Sequence, residues 1–175
     1  SSLEELIKED HRVVREAEKR LEELLKEDHD RLREAKEELE RVLKRDHETL
    51  KEVVERIREK REVIEELKRS NEESRRLVED AKRRLDESNE RSEEIVRRLK
   101  EELKRSNDDS RRVVEEGVPE EVLKKIIERT RDLVRRALRT MEESIKRTEE
   151  LVKKLLDELE ASIRKTEEDA DRIRK

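Results

Sequence analysis

The chain has 175 residues, 58% of them charged and 29% hydrophobic, with no Phe, Trp, Tyr or Cys and one Gly, one Pro and one Met. Lys plus Arg number 48 against 53 Asp plus Glu, a net charge of -5, and the interspersed signs provide no basic face of the kind that steers nucleic acid. No stretch approaches the ~20 apolar residues of a bilayer span, no signal peptide opens the chain, and without cysteine there is no disulfide framework. The expectation is a soluble protein.

Such charge density accompanies disorder where apolar residues are scattered. Here they are periodic, and Ala, Glu, Lys, Leu and Arg at that period predict long helices. Ser2 and Glu5 have capping-box spacing, so helix 1 is predicted over about residues 3–58. Its apolar stripe runs through Leu3, Ile7, Val14, Ala17, Leu21, Leu25, Leu32, Ala35, Leu39, Leu43, Leu50, Val53 and Ile57, within an arc about 140° wide. Three similar segments follow one another: KEDHRVVREAEKRLEELL, KEDHDRLREAKEELERVL and KRDHETLKEVVERIREKR. In the third, Lys60 and Arg61 stand where the others carry Leu24-Leu25 and Val42-Leu43, and the stripe stops.

Helix 2 is predicted over about 61–116, with Val63, Leu67, Leu77, Val78, Ala81, Leu85, Ile95, Val96, Leu99, Leu103, Val113 and Val114 inward. If the helix were continuous, this stripe would sit about 90° around from the first. That jump predicts a hairpin near residues 58–61, although Arg58-Glu59-Lys60-Arg61-Glu62 contains no Gly, Pro, Asn or Ser and suits a helix by propensity. The alternative is one helix from 2 to 116, about 170 Å long, which would need a partner chain, most simply in a domain-swapped dimer. Glu116-Gly117-Val118-Pro119 closes helix 2 cleanly, with Gly suited to C′ and Pro to N1 of the next helix. Helix 3, about 119–174, is expected to bury Val122, Ile126, Leu133, Val134, Ala137, Leu138, Met141, Ile145, Leu151, Val152, Leu155, Leu156, Leu159, Ile163 and Ile173. The predicted fold is all-α: a single-domain (1–175), antiparallel up-down-up three-helix bundle. Its helices should be nearly straight, because the apolar period is 3.6 rather than the 3.5 of a left-handed coiled coil.

Polar stations interrupt these stripes every eighteen residues, which is five turns, so each returns to the same azimuth. Helix 1 carries Asp10-His11, Asp28-His29 and Asp46-His47. Helix 2 carries Ser70-Asn71 with Ser74, Ser88-Asn89 with Ser92, and Ser106-Asn107 with Ser110. Helix 3 carries Thr130, Thr148 and Thr166, with Ser144 and Ser162 four residues before the last two. An up-down-up bundle puts His11, Asn107 and Thr130 at one level, His29, Asn89 and Thr148 at the next, and His47, Asn71 and Thr166 at the last. Each layer offers carboxylate, imidazole, amide and hydroxyl groups that can satisfy one another, with the Asp residues near the stripe's centre and the His residues toward its edge. On that basis, Asp28→Ala should cost about 1–3 kcal/mol by leaving donors unpaired.

Successive His residues lie about 27 Å apart along one helix, too far to share a metal, and each layer has one His and one adjacent Asp diverging by about 100°. With no Gly-rich loop, P-loop, cleft-forming aromatics or evident oxyanion hole, no catalytic residue, metal site or cofactor is expected. On the DH, SNxxS and Thr stations, the idealised Glu/Lys/Arg surface and the EGVPEE turn, the chain resembles de novo designed helical bundles with modular buried hydrogen-bond networks. That resemblance implies a structural scaffold without natural activity, needing no partner as a monomer. It equally admits self-association, a designed helical partner, or a pH-responsive switch acting through buried His.

Overall fold

The computed structural model of the chain describes residues 2–56, 61–117 and 119–174. They form α1 (Ser2–Arg56), α2 (Arg61–Glu115) and α3 (Glu120–Arg174), each of 55 residues. There is no strand among the described residues. The fold is the expected all-α three-helix bundle. Partner residues set the directions: Asp10 meets Ser110 and Glu22 meets Lys100, so α2 runs against α1. Ser106 meets Thr130 and Ser92 meets Ser144, so α3 runs against α2 and parallel to α1.

The expected reversal at 58–61 lies outside the described residues except for Arg61, which opens α2. The side chain of Ser2, on which the capping box depends, is likewise outside them. The second connection is described. Gly117 takes φ +73°, a left-handed conformation at C′ that costs a residue without Cβ little, and its N–H donates to Val114 O at 3.1 Å. Pro119 sits one position earlier than the expected N1. Its carbonyl accepts from Val122 N at 3.0 Å and Leu123 N at 3.5 Å, which is the office of an N-cap residue.

The described chain divides into two compact units, each taking a stretch of every helix: residues 1–29 with 89–147, and 30–88 with 148–175. In unit 1, Val14, Ala17, Leu21 and Leu24 of α1 pack with Val96 and Leu103 of α2 and with Ala137, Met141 and Ile145 of α3. In unit 2, Leu32, Ala35, Leu39, Val42 and Leu43 meet Val78, Ala81 and Leu85, and Leu155, Leu159 and Ile163. A smaller cluster in unit 2 gathers Val53, Leu67 and Ala170. Each fully buried Leu stabilises the fold by about 1.5–3 kcal/mol relative to exposure.

At the start of α3 the core is rotated from the expected stripe. Leu123 and Ile127 are buried, whereas Val122 is 39% exposed and Ile126 half-buried. The eighteen-residue period explains this. Leu123 is in column with Met141 and Leu159, and Ile127 with Ile145 and Ile163, all of which are buried. Ile64 and Ala170 also join the core unforeseen, and the side chain of Ile173 lies outside the described residues.

Candidate functional site

The polar stations are the chemistry this bundle holds inside. A step of 100° per residue separates neighbours on a helix, so a residue centred on the apolar stripe is buried and its neighbour swings to the flank. Asp10, Asp28 and Asp46 take the central position and are buried. His11 and His29 fall on the flank, half-buried. His47 is exposed, which corrects its expected place in a buried layer. The same step leaves Asn89 and Asn107 half-buried while Asn71 is buried, and Ser162 is half-buried beside the buried Thr166.

In unit 1 the first station joins all three helices' chemistry. Thr130 Oγ1 donates to Ile126 O at 3.0 Å, so Ser106 donates to Thr130 across a 2.6 Å contact. Ser110 has Asp10 Oδ2 and Ser106 O as available acceptors, and a carboxylate accepts more strongly than a carbonyl. Asp10 Oδ1, His11 Nε2 and Asn107 Oδ1 have no hydrogen-bond partner.

Further along unit 1, Asp28 is fully buried and neither carboxylate oxygen has a hydrogen-bond partner. Ser92 and Ser144 face each other at 3.4 Å. His29 Nε2 lies 3.5 Å from Glu93 Oε1, an ion-pair distance without hydrogen-bond alignment, and Asn89 Oδ1 is unpaired. In unit 2, Ser88 and Thr148 are also 3.4 Å apart.

The last station lies wholly in unit 2. Asn71 Nδ2 donates to Asp46 Oδ2 at 2.7 Å. Ser70 and Thr166 are 2.9 Å apart, and Ser74 and Ser162 2.7 Å. Burial pushes the Asp46 carboxyl above its ordinary value of 3.8, against the hydroxyls of Thr166 and Ser74, the Asn71 amide and the charge of His47, which all hold it down. Asp169, not foreseen from the sequence, is buried one turn beyond Thr166 and pairs with Arg172. Its signal was its i+3 spacing from a central residue of the stripe.

The structure therefore does not satisfy its stations as fully as the residue types allow. Among the described residues, the unpaired buried side-chain atoms are oxygens of Asp and Asn, together with two imidazole nitrogens. Apart from Ser110, the Ser and Thr hydroxyls carry one hydrogen each and lie against one another or a helix carbonyl rather than against these acceptors. A buried acceptor left unpaired costs about 1–3 kcal/mol.

Among the described residues no three His, Cys, Asp or Glu side chains gather as metal ligands, and no helix is long and apolar enough to cross a membrane. No protein family, curated protein or solved structure was found to match the chain.

Proposed function

We propose that the chain is a de novo helical scaffold without natural biochemical activity, in which the polar stations fix helix register and pairing. The observation that carries this reading is the Asp46 station, where Asn71–Asp46, Ser70–Thr166 and Ser74–Ser162 contacts tie α1 to α2 and α2 to α3. A slipped helix would set Asp46 against Leu or Val and strand these groups, a penalty that hydrophobic positions do not impose on one another. Polar positions inside a bundle cost stability relative to Leu or Val and select a register in return. The eighteen-residue spacing of the stations supports a planned rather than an inherited sequence.

The test is to make the Asp46 station apolar, with Asp46→Leu, Ser70→Ala, Asn71→Leu, Ser74→Ala, Ser162→Ala and Thr166→Val together. The expected result is a more stable protein that no longer has one arrangement: several species in sedimentation and broadened amide resonances. A single species with one set of sharp resonances would remove register from the role of the station.

A further inference from the structure

In unit 2 a groove of about 650 Å³ runs between α1 and α3. Its floor is apolar: Ala35, whose short side chain leaves a notch in a stripe otherwise built of Leu and Val, and the half-buried Val152 and Leu156. Lining residues reach from Arg31 to Arg41 and from Glu149 to Glu160, which is about 15 Å along each axis at 1.5 Å per residue. That is the length of three helical turns on two parallel helices.

The rim is acidic. Arg31 pairs with Glu149, and Arg41 with Glu38. Glu34, Asp157, Glu160 and Lys153 complete the charged rim, and none of these four has an ion-pair partner among the described residues. Three carboxylates thus face one ammonium around an apolar floor. Eighteen residues earlier, in unit 1, the corresponding floor is Ala17, Val134 and Leu138, but the α3 positions matching Glu149, Lys153 and Asp157 are Arg131, Arg135 and Arg139. The apolar pattern repeats and the charge does not.

We infer that the α1–α3 groove of unit 2 is a docking site for an amphipathic partner helix with basic flanks. An apolar stripe at i, i+3, i+4 and i+7 fits a floor three turns long, and Lys or Arg on both edges meets the acidic rim. A second copy of this chain is a poor occupant. Two copies meeting groove to groove would set one acidic rim against another, and each copy carries a net charge of -5. The inference stands apart from the buried stations: it concerns an outer face and holds whether or not the stations fix register.

The experiment uses the intact chain and two labelled peptides of about eighteen residues, each with Leu on one helical face. One has Lys at all other positions, the other Glu, and binding is read by fluorescence anisotropy at low salt, where surface charge is least screened. The Lys peptide should bind at least about tenfold more tightly than its Glu twin. Reversing the exposed rim with Glu34→Lys, Asp157→Lys and Glu160→Lys should invert that preference without touching the core. Leu156→Gln should weaken binding of the Lys peptide. Equal affinity for the twins, or a preference unmoved by rim reversal, overturns the inference. So does a molar mass that climbs with concentration toward twice 21.3 kDa in the parent chain but not in Leu156→Gln, because the groove would then belong to a second copy.

Discussion

The stations around Asp10 and Asp46 come from the same repeat, yet they are wired differently. At Asp10 the carboxylate takes its hydrogen bond from Ser110; at Asp46 it takes it from Asn71. One difference between them lies on α3: Ser162 stands 2.7 Å from Ser74, whereas the corresponding position in unit 1 is Ile126, which offers Ser110 no side-chain oxygen. Asp28 shows the third outcome. Ser144 faces Ser92, the buried Asn89 oxygen is unpaired, and the carboxylate has no bonded donor. Equal spacing sets where polar groups meet, but the donor inventory sets which bonds form.

The largest expected effect does not involve the stations. Leu21→Ala in unit 1 and Leu159→Ala in unit 2 each remove a fully buried side chain and should cost about 2–5 kcal/mol in urea unfolding. Hydrogen exchange then sharpens the comparison: the loss of protection should centre on the unit carrying the substitution. Uniform loss along all three helices would show that the units open together.

Next comes the contrast between carboxylates. Asp46→Ala leaves the buried Asn71 amide without its acceptor and should cost about 1–3 kcal/mol. Asp28→Ala was expected from sequence to cost as much, and the structure reverses that expectation. No donor loses a bond there, and a buried unpaired polar group is removed, so the change should be near neutral or stabilising. Equal costs at the two positions would mean that Asp28 has donors that these contacts do not show.

Most of this architecture was legible in the sequence because it rests on period. Helix count, up-down-up order and the central place of each Asp follow from 100° steps and an eighteen-residue repeat. Val122 and Ile126 continue the apolar character of α3, but the core follows the columns Leu123–Met141–Leu159 and Ile127–Ile145–Ile163. The exposure of His47 was half visible, since its flank position was clear and its depth was not. The wiring of the stations was out of reach. It depends on differences of a few tenths of an ångström between hydroxyl pairs, 2.6 to 2.9 Å at the outer stations and 3.4 Å for Ser88–Thr148 and Ser92–Ser144, which no spacing rule encodes.

A smaller effect follows from the raised pKa of Asp46. The folded state holds this proton more tightly than the unfolded chain. The associated stability is therefore complete below the unfolded value near 3.8 and is lost as pH rises through the folded pKa. The parent chain should gain stability relative to Asp46→Asn as pH falls from 7 toward 4, by at most about 1.4 kcal/mol per pH unit for one proton. Parallel urea midpoints for the two proteins across that range would show that burial does not bias this carboxyl.

The smallest effect tests the influence of the α3 serine directly. Ser144→Ala removes a hydroxyl 3.4 Å from Ser92, and the single change should cost no more than about 1 kcal/mol, the net worth of one hydrogen bond. Its meaning appears only in combination with Asp28. If Ser144 is what occupies Ser92, its removal frees that hydroxyl to turn to the carboxylate as Ser110 does at Asp10. Asp28→Ala should then cost more in the Ser144→Ala background than in the parent, giving a coupling of about 0.5–1.5 kcal/mol in a double-mutant cycle. Strict additivity would leave the α3 serine without influence on its neighbours, and the difference between the Asp10 and Asp46 stations would have to originate on α2, in the placement of Asn71.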